Sequence, residues 1–167
     1  MPTTTQPGSD KVLQVANYFV KKNQEEPDKG LDSKKLQKLL YYAQAWSLVL
    51  RKKEMFPDKI EAWIHGPAIY KVWDTFKAFD FKANHPEIKD SIFTSLKKED
   101  FEFLDKIWNL YGKFDGDYLE ALTHNELPWQ EARKEVGSSD RSQNIITPES
   151  MQSYYGKRLT EAEQRTA

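Results

Sequence analysis

Three histidines are the side chains best suited to acid-base or metal chemistry in this sequence, and they are His65, His85 and His124. They stand far apart along the chain, so no two are four residues apart, the spacing at which helical imidazoles share a zinc ion. The chain has no cysteine, which removes thiolate ligands and disulfide bonds alike. We therefore predict no metal site and no cofactor.

A general base could come from the stretch His124, Asn125 and Glu126, and Glu61 or His65 could act in the same way in a hydrolase. A polar loop that ends one helix before the next is the simpler description of the first stretch. Nothing in the spacing of these residues favours a catalytic set over ordinary surface positions. We predict no catalytic residues, and an enzyme is the rival from another class of function.

The other ligand-binding patterns are incomplete. Asp115 and Asp117 flank Gly116, but the remaining ligands of a calcium loop and its closing glutamate are missing, so helix capping explains the two aspartates better. The glycines are scattered along the chain rather than gathered in a phosphate-binding loop. The sequence therefore indicates neither a calcium site nor a nucleotide site.

Two basic clusters could suggest contact with nucleic acid. One contains Lys34, Lys35 and Lys38 at the start of a predicted helix, and the other, residues 51–53, ends that helix. The 25 basic residues are outnumbered by 26 acidic ones, giving a net charge of -1, so no broad positive field attracts phosphates. We interpret both clusters as solvated helix faces and expect no direct contact with nucleic acid.

The length and composition indicate one domain. A chain of 167 residues can bury one hydrophobic core. Residues 1–9 are small and polar and are predicted to be disordered, residues 10–156 form the predicted domain, and residues 157–167 form a polar C-terminal tail that we expect to fray. No apolar run is long enough to cross a membrane, and the start lacks a signal peptide, so we expect a cytoplasmic protein.

The hydrophobic periodicity predicts a mainly α, compact multi-helix domain with a minor short-strand element, an α+β arrangement in which helices predominate. Gly66 and Pro67 are expected to end the first strand, and Pro67 to open the helix that follows. The predicted helices cover residues 10–24, 32–52, 67–76, 101–111, 115–122, 128–136 and 147–155, and the predicted strands cover residues 59–65 and 92–93.

Aromatic residues give a stronger indication of function, because 5 Trp, 8 Tyr and 9 Phe exceed what a small core usually holds. Tyr41 and Gln44 lie on a different helical stripe from the leucine core, and Trp63 and His65 face away from Ile64 on the predicted strand. Either a second core layer or a partner covers them. The predicted partner-binding residues are Gln37, Tyr41, Gln44, Trp63, His65, Tyr70, His124 and Trp129.

Several short motifs occur in an order that resembles one family. The first runs from Leu36 to Trp46 with the sequence LQKLLYYAQAW. The others are Glu61-Ala62-Trp63, His65-Gly66-Pro67, Leu122-Thr123-His124, Pro128-Trp129, and a closing Ile146 with Tyr155. With these motifs the chain resembles the Panacea domain family, the SocA-like antitoxins, also described as phage-associated GepA-like proteins and found in prophages.

The resemblance implies a non-enzymatic antitoxin of a toxin-antitoxin system, which binds a cognate protein toxin and neutralises it. One branch of the family instead implies a proteolytic adaptor that delivers its toxin to an ATP-dependent protease. An enzyme that reverses the toxin's modification stays open as the alternative from a different class. The identity of the toxin and the oligomeric state of the chain stay open as well.

Overall fold

The computed structural model describes residues 10–166, which form seven α-helices and a small three-stranded antiparallel sheet. The prediction of a mainly α domain with a minor strand element is confirmed. The predicted disorder of residues 1–9 lies outside the described residues. The elements are α1 (Lys11–Glu25), α2 (Ser33–Leu50), β1 (Ile60–Trp63), β2 (Gly66–Ala68), α3 (Tyr70–Phe76), α4 (Lys98–Tyr111), α5 (Gly116–His124), α6 (Leu127–Ala132), β3 (Ile145–Ile146) and α7 (Pro148–Thr166).

Helix α2 is the centre of the core. Its start is fixed by Asp32, whose carboxylate accepts a hydrogen bond of 2.8 Å from the backbone N–H of Lys35. Leu36, Leu39 and Leu40 recur at the helical spacing and are fully buried. Helices α1, α4, α5 and α7 all pack on α2.

The sheet corrects a prediction made at Gly66 and Pro67. The chain turns back through Ile64 and His65, and Gly66, which pairs with Trp63, has a φ of 111° that favours glycine. Pro67 follows in β2, opposite Ala62 of β1. Proline is tolerated there because β2 is an edge strand, where a backbone N–H is not required. The prediction that Pro67 opens a helix is therefore wrong, and α3 begins at Tyr70.

Two further predicted elements differ from the structure. The predicted strand at Ile92 and Phe93 is wrong, since Asp90–Ile92 form a 3-10 turn and Phe93 is buried with its ring 5.7 Å from that of Tyr18. A short apolar pair can be buried by a turn as well as by a strand. Helix α6 ends at Ala132 rather than near residue 136.

Helix α7 continues to Thr166, so residues 157–166, which were expected to fray, are helical and mostly exposed. The predicted division into a domain of residues 10–156 and a tail stays a prediction. Within residues 10–166, no helix is long and apolar enough to cross a membrane.

Two of the lysines predicted to lie on a solvated face are buried. The ammonium of Lys35 donates hydrogen bonds to the carbonyls of Lys29 and Gly112, at 2.9 and 2.5 Å. Lys38 lies beneath the hairpin of β1 and β2 and donates to the carbonyl of Pro67 at 3.3 Å. Burial lowers the pKa of Lys38 to about 8. Neither lysine is exposed to a phosphate, which corrects the prediction for this cluster.

Candidate partner-binding surface

A groove of about 400 Å³ opens on the side of the hairpin that faces away from α2. It contains three of the predicted partner-binding residues, Trp63, His65 and Tyr70, and it adds a further tryptophan and the loop before β3. We call it the aromatic groove. Its lining residues are Trp63, Ile64, His65, Tyr70, Trp73, Arg141, Ser142 and Gln143.

The rings of the aromatic groove contact one another and solvent. The ring centroids of Trp63 and Trp73 are 6.3 Å apart, and those of Tyr70 and Trp73 are 5.7 Å apart. Tyr70 is 56% exposed and Trp73 is 38% exposed, which is high for rings of this size. Within residues 10–166, neither the Tyr70 hydroxyl nor the Trp73 indole N–H has a hydrogen-bond partner. These two rings present both apolar area and free polar atoms.

Trp129 and His124, also predicted to bind a partner, support the hairpin from behind. The indole N–H of Trp129 donates to the Trp63 carbonyl at 2.8 Å, and the ring of His124 stacks on Trp129 at 3.9 Å. Burial lowers the pKa of His124, so the imidazole is neutral at pH 7. Both residues are half-buried and position Trp63 rather than line the groove.

The far wall of the groove is fixed by Arg133, a buried residue just after α6. Its guanidinium donates to the Ala62 carbonyl of β1 at 2.9 Å and to the carbonyls of Gly137 and Asp140 at 3.1 and 2.5 Å. Arg141, which directly follows Asp140, lines the groove. One buried cation thus ties the loop to the sheet, because it satisfies three carbonyls at once.

The two lysines of α3 and its end are paired with carboxylates, whereas Arg141, the one Lys or Arg among the described lining residues, is not. The Lys71 ammonium lies 3.2 Å from the Asp58 carboxylate, and Lys77 lies 2.8 Å from Asp74 while also covering the face of the Trp73 ring. Arg141 forms no ion pair with any residue in 10–166, and it is exposed. The groove therefore carries one uncompensated positive charge.

His65 is turned toward α5 at the end of the groove. Its Nδ1 atom lies 3.2 Å from a carboxylate oxygen of Glu120, which the Lys34 ammonium also approaches to 3.0 Å. Burial raises the pKa of Glu120, but the contact with the Lys34 ammonium, its charge and the charges of His65 and His124 together outweigh burial, so this pKa is lowered. The carboxylate is therefore ionised at pH 7 and holds the exposed His65 ring beside the groove.

Two other predicted partner-binding residues, Gln37 and Gln44, are buried and hold the backbone of this domain. The Gln37 amide accepts from the Ile69 N–H at 2.8 Å and donates to the Ile69 carbonyl at 3.1 Å. Gln44 accepts from the Met55 N–H at 2.8 Å and donates to the Phe56 carbonyl at 2.9 Å. Their amides are used inside the fold, so neither belongs to the exposed surface.

Tyr41 lies in a buried cluster that we call the tyrosine knot, made of Tyr41, Tyr42, Glu126 and Tyr155. Tyr42 donates to the Glu126 carboxylate at 2.5 Å, and the Tyr155 hydroxyl lies 3.1 Å from Glu126 and 3.0 Å from the Tyr41 hydroxyl. Burial raises the pKa of Glu126, although both hydrogen bonds oppose this. Tyr41 is 1% exposed, so a second core layer, not a partner, covers it.

Two of the groups considered for catalysis, His65 and His124, act on the same carboxylate: burial raises the pKa of Glu120, while the charges of both histidines help to lower it. The remaining titratable candidates have other partners. Glu61 accepts a hydrogen bond of 2.8 Å from the Trp63 indole, and His85 stacks on Phe79 with its Nε2 atom 2.5 Å from the Asp80 carbonyl. Among residues 10–166, no group of three or more His, Cys, Asp or Glu side chains could hold a metal ion.

Five lining residues were not predicted to bind a partner, and Trp73 and Arg141 are the two among them that contribute an exposed ring and a charge. Trp73 belongs to the same helical stripe as Val72 and Phe76, which predicts core packing for all of them. In the structure Val72 and Phe76 are buried, but the short helix α3 leaves Trp73 at the edge of the core. Arg141 stands in a polar loop whose position depends on Arg133, and no local pattern indicates its role.

The chain was also compared with known proteins. A family model described as "Antitoxin SocA-like, Panacea domain" matches residues 36–130, more than half of the chain. No match was found among curated proteins or among solved structures. The matched region runs from α2 into α6 and includes Trp63 of the hairpin and Tyr70 and Trp73 of α3, while Arg141 lies beyond it.

Proposed function

The chain belongs to the SocA-like antitoxin family with the Panacea domain, and from this premise we propose that it neutralises a cognate protein toxin by direct binding at the aromatic groove. The observation that carries the proposal is the exposure of Tyr70 and Trp73 beside Trp63. Among residues 10–166, the other tryptophans have a partner for their indole N–H, and the other tyrosines, except Tyr118, have a partner for their hydroxyl. Exposed tryptophan and tyrosine rings are the residues that contribute most to protein interfaces.

The groove is suited to binding because it is built before a partner arrives. The hairpin is attached to α2 by Gln37, and the opposite wall is attached to β1 by Arg133. A preformed surface loses little conformational entropy on association. A specific complex buries roughly 800 Å² on each partner, so the toxin contacts α3 and the loop before β3 as well as the groove. Covering the toxin's active site, or distorting it, then abolishes toxicity.

The proposal is tested by inducing the neighbouring open reading frame alone and together with this gene in bacteria. Growth is expected to stop with the neighbour alone and to recover with both, and affinity purification is expected to yield a stoichiometric complex. Tyr70→Ala and Trp63→Ala should weaken the recovery while the variant proteins stay folded by circular dichroism.

Tyr118→Ala is the matched control. Tyr118 is a tyrosine with a similar exposure, 50%, but it stacks on Phe114 on another side of the domain. Its loss should leave the recovery unchanged. Full recovery with every groove variant would refute the groove as the binding surface. Recovery with the toxin in large molar excess, and without a complex, would favour an enzyme that reverses the toxin's modification.

A proteolytic adaptor is the second candidate, because the last turns of α7 extend the chain with an exposed polar helix. In that function the groove holds the toxin, and residues 157–167 engage an ATP-dependent protease. The two candidates differ in the fate of the toxin. A neutraliser preserves the toxin in a complex, whereas an adaptor shortens the toxin's half-life in cells that contain the protease.

A further inference from the structure

We infer that the aromatic groove receives a segment of the toxin in which a large apolar side chain stands next to a carboxylate, and that Arg141 pairs with this carboxylate. The inference rests on the proposed function and names the part of the toxin that the groove recognises. It follows from two properties of the lining, its exposed rings and its charge.

The apolar side chain is matched by the rings. Trp63, Tyr70 and Trp73 form a continuous aromatic surface, with neighbouring ring centroids 5.7 and 6.3 Å apart. A groove of about 400 Å³ accommodates one or two large side chains. Aromatic rings that are partly exposed in the free domain contribute favourable binding free energy when such a side chain removes their apolar area from water.

The carboxylate is matched by the charge. Residues 58–77, which build the hairpin and α3, contain three lysines and three acidic residues and are therefore neutral as a group. Lys71 and Lys77 are each paired with a carboxylate, while Arg141 is not paired within residues 10–166. A guanidinium forms a two-pronged hydrogen bond with a carboxylate, so one acidic side chain satisfies it.

The same charge pattern disfavours nucleic acid as the occupant. A phosphate backbone is bound by several cations along one path, and the number of contacts sets the affinity. The groove has one uncompensated cation, and Asp58, Glu61 and Asp74 lie on the elements around it. The occupant is therefore a protein segment with a local negative charge.

The position of Arg141 is fixed by the fold. Arg133 holds the carbonyl of Asp140, and the carbonyl of Asn144 accepts a hydrogen bond of 2.8 Å from the Ala62 N–H of β1. The backbone on both sides of Arg141 is thereby anchored. A charge carried on an anchored loop selects its partner with a smaller entropic loss than one on a free tail.

The experiment uses a phage-displayed library of random twelve-residue peptides, panned on the full chain and on three variants, Arg141→Glu, Arg165→Glu and Trp73→Ala. On the wild-type chain, recovered peptides should be enriched in Asp or Glu next to Phe, Trp, Leu or Ile. On Arg141→Glu, acidic peptides should bind about tenfold more weakly and peptides with Lys or Arg should replace them. Arg165→Glu changes the net charge equally at the exposed end of α7 and should select the wild-type set.

The opposite results overturn the inference. They are recovery of no peptide, recovery of peptides without acidic enrichment, or equal recovery of acidic peptides on Arg141→Glu. Acidic peptides that bind Trp73→Ala as well as they bind the wild type also overturn it, because they occupy another surface. Growth recovery that is lost in Trp73→Ala, together with any of these results, would refute the carboxylate and leave the proposed function standing.

Discussion

The tyrosine knot and the aromatic groove are two aromatic clusters, of which the first is buried and the second is partly exposed to solvent. In the knot, Tyr41, Tyr42 and Tyr155 bring their hydroxyls to one another and to Glu126, and all are buried. In the groove, the polar atoms of Tyr70 and Trp73 have no partner among residues 10–166. The polar atoms of the rings are therefore satisfied by other side chains inside the knot, whereas those of Tyr70 and Trp73 are left to solvent in the groove.

The knot also shows why its aromatic residues cannot be exchanged for leucine. Each buried hydroxyl needs an acceptor, and Glu126 supplies it from the start of α6 while the tyrosines come from α2 and α7. Three helices are thereby joined through one carboxylate. The groove has no comparable internal function, so its rings are free to serve a partner.

The largest effect is expected in the knot. Glu126→Leu leaves the hydroxyls of Tyr42 and Tyr155 without their acceptor in the core, so the free energy of unfolding should fall by about 2–4 kcal/mol. Urea denaturation measures it. Glu126→Gln retains a carbonyl acceptor and should lose about 1 kcal/mol. Equal losses in the two variants would show that the hydrogen bonds are not what the glutamate contributes.

The groove should behave in the opposite way. Trp73→Ala should weaken toxin binding by about 2 kcal/mol, roughly thirtyfold in Kd, because it removes a central anchor. Its free energy of unfolding should change by less than about 1 kcal/mol, since the ring lies at the edge of the core. Surface plasmon resonance with the purified toxin, next to urea denaturation, measures both. A stability loss as large as that of Glu126→Leu would remove the distinction between the two regions.

Lys38 lies between the two regions, on the same helix as Tyr41 and under the hairpin that carries the groove. Burial lowers the pKa of Lys38 from 10.5 to about 8 in the folded state. Between these two values, the unfolded chain therefore holds the ammonium proton more tightly than the folded chain does. Stability is therefore reduced below pH 8 and rises as the pH increases through about 8. From neutral pH to about pH 9.5, the wild type should gain roughly 2 kcal/mol relative to Lys38→Met.

The pH dependence is measured by urea denaturation of both proteins at matched pH values, and the difference between the curves isolates Lys38 from other groups. The tyrosines of the knot titrate higher, because burial raises the pKa of Tyr41 and of Tyr155. Parallel curves for the two proteins would show that Lys38 is not buried as a charge at neutral pH.

The smallest effect is expected outside both regions. Deleting residues 160–167 removes exposed polar turns of α7 and retains Leu159, which packs on the core. The free energy of unfolding should change by less than about 0.5 kcal/mol, and toxin binding should be unchanged. The half-life of the toxin in cells decides between the two candidate functions. A longer half-life with the truncated chain would favour the proteolytic adaptor over a plain neutraliser.

The sequence predicts those parts of the fold that local interactions determine. Asp10, Asp32 and Asp115 each cap the helix that follows, and each cap is visible within a few residues. The hairpin is different. Strand β2 pairs with β1, and β1 also pairs with β3, which lies about 80 residues further along the chain. A pattern read over ten residues does not contain that pairing.

The site was predicted in part for the same reason. The alternation in β1 indicates that Trp63 and His65 share a face, and the structure confirms that both line the groove. Tyr41 and Gln44 share a stripe of α2. Tyr155 of α7 packs on Tyr41, and residues 55–56 cover Gln44, and both of these segments lie outside α2. Burial of a second stripe is decided by distant elements, so the periodicity of one helix leaves it open.

The pairing of β1 with β3 also determines when the groove exists during synthesis. Ile60 pairs with Ile146, and the wall that carries Arg141 is held only when the hairpin and the following loop meet. A nascent chain that has released Trp63, Tyr70 and Trp73 from the ribosome still lacks this wall and one strand of the sheet. If the toxin binds at the groove as proposed, binding is expected only after the residues of β3 have emerged, and fragments that end before β3 are expected to lack it.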